Sequence, residues 1–242
     1  MAKQENLQLV VGAVNGRNIW RTDLRKTLNQ LSALENISIA TSTSLQHVPH
    51  DLKLEENLTG DLKNWLAFAD QKVVEVLTLA RAQVQGEESV STLVKAASDA
   101  LAQRQNAEGV QVCEIRNRVE QVTGQDGAFD RPSAQQRQDA QAGLNLPQIP
   151  TTTIGSFPQT PEIRKQRAAL RAGKISEQEF EGFLRDEIAS VIKLQEEIGL
   201  DVLVHGEAER NDMVQYFAEN FDGFDTTVHG WVQSYGSRCT RP

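Results

Sequence analysis

Leu7 to Val14 is an almost unbroken apolar run closed by Asn15-Gly16, the pattern of a buried strand that ends in a tight turn. Leu24, Leu28, Leu31 and Ala33 then mark a helix over roughly Thr22 to Leu34. Ile37 to Thr43 is short and rich in β-branched residues, a second strand. From Asp61 to Val84 apolar residues recur at helical spacing, from Leu62, Trp65, Leu66 and Ala69 through Val73, Val76, Leu77, Ala80 and Val84. That spacing predicts one long helix, stopped at Gly86. Strand, helix, strand, helix is the order of parallel βα units. A buried parallel strand needs neighbours on both sides, yet six residues precede Leu7. The chain is therefore expected to open partway through a fold.

The pattern fades between Glu87 and Leu146, where Gln, Ala, Asp, Glu and Arg dominate. Two or three polar helices with weak apolar faces fit this stretch, with a loop at Gly124-Gln125-Asp126-Gly127. It reads as a connector. Beyond the stiff Leu146-Pro147-Gln148-Ile149-Pro150 the βα rhythm returns. Thr151 to Ile154 reads as a strand ending at Gly155. Thr160-Pro161 is an N-cap with proline at the first helical position, opening a helix to about Arg171 that Gly173 ends. Ser176 to Glu179 is a capping box. Its helix turns Phe180, Phe183, Leu184, Ile188, Val191, Leu194 and Ile198 inward and stops at Gly199. Asp201 to Val204 is another strand, followed by a helix over roughly Asp212 to Glu219 and a strand at Trp231 to Gly236. A whole (β/α)8 barrel takes about 250 residues, so neither end of this chain holds one. The expected organisation is the closing units of one barrel (residues 1–86), a helical linker (87–146) and the opening units of a second barrel (147–242).

Composition narrows the function. Formal net charge is −8, which argues against nucleic acid or an anionic membrane as a partner. No apolar run is long enough for a transmembrane helix, and Met1 to Asn6 lack the apolar core of a signal peptide. Cys113 and Cys239 are the two cysteines, too few for a disulfide framework or a zinc site of their own. A reduced cytoplasmic setting follows, and the glycosylation-like triplets at Asn36 and Asn57 are chance matches. Cys113 on its helical stretch reads as a small semi-buried residue.

Chemistry concentrates at three strand ends, which converge if the last segment is a barrel: Ile154-Gly155-Ser156, His205-Gly206-Glu207 and Ser237-Arg238-Cys239. Gly155 and Gly206 would let a ligand approach the backbone. The Ser156 hydroxyl and nearby N–H groups suit a carboxylate, Glu207 suits an ammonium group, and Arg238 offers a bidentate anion fork. Together they describe an amino-acid pocket. The competing reading takes Glu207, Glu209, Arg210 and Asp212 as a solvated helix start, since acids favour the first turn. His205 reads as an orienting residue rather than a metal ligand. Cys239 offers a nucleophile or ligand, but no histidine stands at a motif spacing. His47 and His50, flanking Pro49, read as loop residues because no carboxylate or cysteine stands at ligand spacing. Arg17, just after the first strand, either binds an anion or pairs with a local carboxylate.

The segments Thr151 to Thr160, His205 to Val214 and Trp231 to Cys239 closely resemble the cobalamin-independent methionine synthase family. Gly16-Arg17-Asn18-Ile19-Trp20 and Trp65-Leu66-Ala67-Phe68-Ala69 resemble the end of that family's N-terminal barrel. The resemblance implies two (β/α)8 barrels joined by a linker. It implies methyl transfer from 5-methyltetrahydropteroyltriglutamate to homocysteine, giving methionine, with zinc activating the homocysteine thiolate and without cobalamin. It puts the homocysteine-binding Ile-Gly-Ser on Ile154, Gly155 and Ser156, the amino-acid-binding carboxylate on Glu207 and the folate-contacting pair on Arg238 and Cys239. The family's zinc ligands find no counterpart here, so the resemblance implies a central fragment without turnover of its own. Open barrel edges make self-association, or a complementing fragment, an expectation. The alternatives are a non-catalytic remnant that binds an amino acid or a protein partner, and a uroporphyrinogen-decarboxylase-like relative.

Overall fold

Strand β1 (Leu9–Val14), helix α1 (Leu24–Leu31) and strand β2 (Ile37–Thr41) form a βαβ unit in a computed structural model of the chain, which describes residues 8–58, 60–123, 131–235 and 238–240. The strands pair in parallel, Leu9 opposite Ile37 and Val11 opposite Ile39, and a parallel pair requires such a crossover. Asp23 caps α1 by accepting from the Lys26 N–H at 2.9 Å. The helix then buries Leu24, Leu28 and Leu31. The expected loop at Gly124 to Gly127, residues Met1 to Asn6 and the pair Gly236-Ser237 lie outside the described residues.

The long helix expected from Asp61 to Val84 is two helices, α2 (Gly60–Trp65) and α3 (Ala69–Gln85). The break comes from competing backbone partners. The Ala67 N–H donates to the Ile19 carbonyl at 2.8 Å, and the Trp65 carbonyl accepts from Arg21 at 2.9 Å. The Ala69 and Asp70 N–H groups donate to the carbonyls of Pro49 and His50. Leu66, Ala67 and Phe68 are buried at the break, so the apolar phase runs through it unchanged. α4 (Ser91–Asn106) follows. Its apolar face is narrow but completely used, since Val94, Ala97 and Ala100 are buried. Val14, Leu28, Leu79 and Val94 share one core, while Val48, Leu52, Leu58, Leu66 and Phe68 form a second cluster.

α5 (Cys113–Thr123) and α6 (Ala134–Gln141) complete the polar stretch. Cys113 is exposed rather than semi-buried, because α5 turns Ile115 and Val119 to solvent as well. α7 (Pro161–Arg171) and α8 (Glu177–Ile198) have the expected caps. Thr160 accepts from the Ile163 N–H, Ser176 and Glu179 form the reciprocal capping box, and Gly199 closes α8 in the left-handed conformation. The inward face of α8 differs from expectation. Phe180, Phe183, Leu184, Ile188 and Val191 are half-buried and Leu194 and Ile198 are exposed, while the buried residue is Gln195.

Gln195 explains a second difference. Thr151 to Ile154 and Asp201 to Val204 form no strand ladder; the Val202 N–H donates to the Thr151 carbonyl at 3.0 Å, and one parallel bridge joins Ser156 to Gly206. Side chains take other backbone groups that a ladder would use. The Val204 N–H donates to Gln195 Oε1 at 2.9 Å and its carbonyl accepts from Gln195 Nε2 at 2.6 Å. The Thr151 N–H donates to the Asp201 carboxylate at 2.8 Å. α9 (Met213–Asn220) follows, then an antiparallel hairpin of β3 (Val232–Tyr235) and β4 (Arg238–Thr240).

The chain divides into two units: residues 1–121 together with 217–242, and residues 122–216. The hairpin therefore belongs with β1 and β2. Glu55, 1% exposed, ties it there by accepting from the Val228 and His229 N–H groups at 2.6 and 2.9 Å. The class is mixed α/β, as expected. Among the described residues no helix is long and apolar enough to cross a membrane.

Candidate functional site

The bridge between Ser156 and Gly206 brings two of the three expected strand ends together. The Phe157 N–H donates to the Gly206 carbonyl at 2.8 Å, fixing the register of the two segments. Ser156 Oγ then donates to Glu207 Oε2 at 2.7 Å. Arg210 pairs with the same carboxylate oxygen and reaches Ser156 Oγ at 3.4 Å. The Ser156 hydroxyl and then the Arg210 guanidinium hold the Glu207 carboxyl below the usual carboxylate range. A carboxylate so held stays ionised at neutral pH and is a poor base. Its chemistry is to hold a cation. Glu207 Oε1 lies beside Gly155, where an added Cβ would sit 3.7 Å from it.

The backbone that presents Glu207 is unusual. Gly206 has φ 87° and Glu207 itself has φ 61°, left-handed conformations that a non-glycine residue rarely adopts. The Glu207 N–H donates to His205 Nδ1 at 2.9 Å, which leaves Nε2 as the protonated nitrogen facing Glu209 Oε1 at 3.5 Å. His205 therefore orients the turn, as the sequence suggested. A Cβ at Gly206 would meet Val191 Cγ1 at 3.0 Å and Phe157 at 3.4 Å, so its missing side chain serves packing against α8.

Gln159 and Arg167 complete the turn, and neither stood out in the sequence. Gln159 Nε2 donates to the Arg210 carbonyl at 3.0 Å, and Arg167 donates to Gln159 Oε1 at 2.8 Å and to the Ala208 carbonyl at 2.9 Å. Arg167 lies nearly two turns into α7 and is half-buried. Burial, and Arg171 beside it, lower its pKa, while Glu209 acts the other way. Glu209 Oε2 is buried without a hydrogen-bond partner among the described residues. The arrangement is a buttressed turn that aims one ionised carboxylate and one hydroxyl at the same place.

Ile154 is 97% exposed at the edge of this turn. Arg238 and Cys239 lie on β4 in the other unit, where Cys239 is exposed. The third strand end is paired within its own hairpin. His50 lies 3.5 Å from Asp70 and His47 bonds the Gln233 carbonyl at 2.6 Å, loop roles for both. Among the described residues no three His, Cys, Asp or Glu side chains gather as a metal ion would need.

Residues 149–242 match the family model described as the cobalamin-independent synthase catalytic domain. The chain is 50% identical over 238 residues to the 5-methyltetrahydropteroyltriglutamate–homocysteine methyltransferase of Mycolicibacterium paratuberculosis, covering 97% of this chain and 31% of that protein. Its counterparts in Mycobacterium leprae and Saccharophagus degradans are each 49% identical over the same shares of both chains. The chain thus spans 31% of the length of these relatives.

Proposed function

We propose that the chain belongs to the cobalamin-independent methionine synthase family, which it resembles along its length, and that it carries the homocysteine-holding part of a methyltransferase. The reaction passes a methyl group from N5 of 5-methyltetrahydropteroyltriglutamate to the sulfur of homocysteine, giving methionine. Glu207 holds the substrate ammonium group. Ile154, Gly155 and Ser156 line the carboxylate end, and Arg238 with Cys239 contacts the folate. The observation that carries this reading is the Glu207 carboxylate, positioned by the Ser156 hydroxyl at 2.7 Å and by Arg210. Such a carboxylate binds a cation and is unsuited to moving a proton.

The reading extends to the organisation of the chain: residues 1–86 as closing units of one (β/α)8 barrel, 87–146 as linker and 147–242 as opening units of a second. It also carries a cytoplasmic location and a zinc requirement for the whole enzyme. The described residues do not fit a zinc site, since His205 is engaged with the Glu207 N–H and Glu209 and no third donor gathers there. The isolated chain is expected to take up no stoichiometric zinc and to show no turnover.

Calorimetric titration with L-homocysteine and with 4-mercaptobutanoate, which lacks the amino group, tests the assignment of Glu207. Saturable binding of homocysteine, at least about tenfold tighter than the analogue, supports it. Equal affinities refute it. A second reading, a partner-binding protein without catalysis, draws on the exposed Ile154, Leu194 and Ile198. Gel filtration separates the two: self-association that homocysteine leaves unchanged, with no homocysteine heat, favours the partner-binding reading.

A further inference from the structure

The turns that follow β1 and β2, together with the β3–β4 hairpin, line an open pocket of about 500 Å³ whose wall includes Arg17, Ser44, His47, Gln233 and Thr240. No carboxylate stands among its described lining residues, although the chain carries 33 acidic against 25 basic side chains. The local acid that the sequence offered as a partner for Arg17 is therefore missing from this wall. The loop bearing Arg17 is fixed from below. Asn15 Oδ1 accepts from the Arg17 and Asn18 N–H groups at 2.8 and 3.2 Å, and the Gly16 N–H donates to Ser42 Oγ at 3.1 Å.

The opposite wall supplies an independent observation. Thr240 Oγ1 is buried and has no hydrogen-bond partner among the described residues, a state that costs about 1–3 kcal/mol when nothing compensates it. His47 lines the pocket without competing for a ligand. Its Nδ1 must donate to the Gln233 carbonyl, at 2.6 Å, which leaves Nε2 to accept from Gln46 at 3.2 Å. The imidazole is thus engaged at both nitrogens.

We propose that this pocket binds the carboxylate or phosphate group of a small molecule, with Arg17 supplying the positive charge and Thr240 a hydrogen bond. A guanidinium presents paired N–H donors to either oxyanion, and the orphan hydroxyl gains its missing partner. The proposal does not rest on the methyl-transfer reading.

The test titrates the 242-residue chain with inorganic phosphate and, separately, with glutarate at low ionic strength, by calorimetry and by amide NMR shifts. The expected result is saturable one-site binding with shifts centred on Gly16, Arg17, Ser44 and Thr240, and the tighter probe identifies the oxyanion. Arg17→Gln weakens binding at least about tenfold, and Thr240→Val weakens it about threefold. Arg116→Gln, a charge control on α5, leaves it unchanged. Arg17 is exposed, so its replacement keeps the fold and carries the test even if the Thr240 variant is unstable. Absence of saturation, unchanged affinity in Arg17→Gln, or an equal loss in Arg116→Gln overturns the proposal.

Discussion

Gln195 offers a test of how the candidate site is held in place. It is fully buried on α8, and its amide bridges both backbone groups of Val204, two residues before Gly206. Replacing it with Met keeps the length, flexibility and helix propensity of the side chain and removes both bonds. Each orphaned group costs about 1–3 kcal/mol, and the half-buried Val204 places the pair at about 2–4 kcal/mol. The buried thioether returns about 1 kcal/mol, so Gln195→Met should lose about 1–3 kcal/mol by urea unfolding. The Val204 amide should lose its protection from hydrogen exchange. Gln195→Glu sharpens the test. A protonated carboxyl restores both bonds, because its C=O accepts from the Val204 N–H and its O–H donates to the Val204 carbonyl. An ionised one repels that carbonyl. Its folded pKa is therefore raised above the unfolded value of about 4.3. Its stabilising contribution is complete below that unfolded value and disappears as pH rises through the folded one. The stability gap between Gln195→Glu and the unsubstituted chain should narrow on acidification. A Gln195→Met chain within about 0.5 kcal/mol of the unsubstituted one, with Val204 still protected, refutes the bridging role.

Other consequences follow from neighbouring contacts. Gly206→Ala puts a Cβ at φ 87° and 3.0 Å from Val191; urea unfolding should show a loss of about 1–3 kcal/mol, whereas Gly155→Ala, at φ 104° with Glu207 Oε1 at an ordinary 3.7 Å, carries the backbone strain without the clash and costs less. Glu55→Ala leaves the Val228 and His229 N–H groups without their acceptor and should cost about 2–4 kcal/mol, seen as accelerated exchange of those two amides. The carboxyls of Glu207 and Asp201 are both lowered, by the hydrogen bond from Ser156 and by those from Thr151 respectively. Their contributions are present above the ordinary carboxylate range and are lost as pH falls through the lowered values. Ser156→Ala and Thr151→Val should therefore flatten the acid side of the stability profile, measured as urea midpoints across about pH 2–5.

The sequence made the caps legible because capping is local. Thr160-Pro161, Ser176 to Glu179 and Gly199 each stand where the helices begin or end. It also made the meeting of Ser156 with Glu207 legible, since a β-branched run ending in Gly-Ser and an apolar run ending in His-Gly-Glu imply neighbouring strand ends. What it missed depended on distant partners. The break at Leu66 to Phe68 is made by Ile19, Arg21 and Pro49, and the residues around it keep helical phase. The absent ladder between residues 151–154 and 201–204 reflects Gln195, a polar residue beside a stripe drawn from apolar ones. Arg210 could have been found, as it stands three residues after Glu207, but it read equally well as a solvated helix start. Gln159 and Arg167 carried no signal, because their carbonyl partners exist only once the turn at Gly206 has formed.

The claim that Glu207 holds the amino end of homocysteine is tested most directly in a chimera of the Mycolicibacterium paratuberculosis methyltransferase, in which the aligned 31% is replaced by this chain. The measurement is the KM for homocysteine with Glu207 intact and with Glu207→Gln. The account predicts that the chimera methylates homocysteine and that the substitution raises KM at least about tenfold. A folded, active chimera whose KM is indifferent to Glu207→Gln contradicts it.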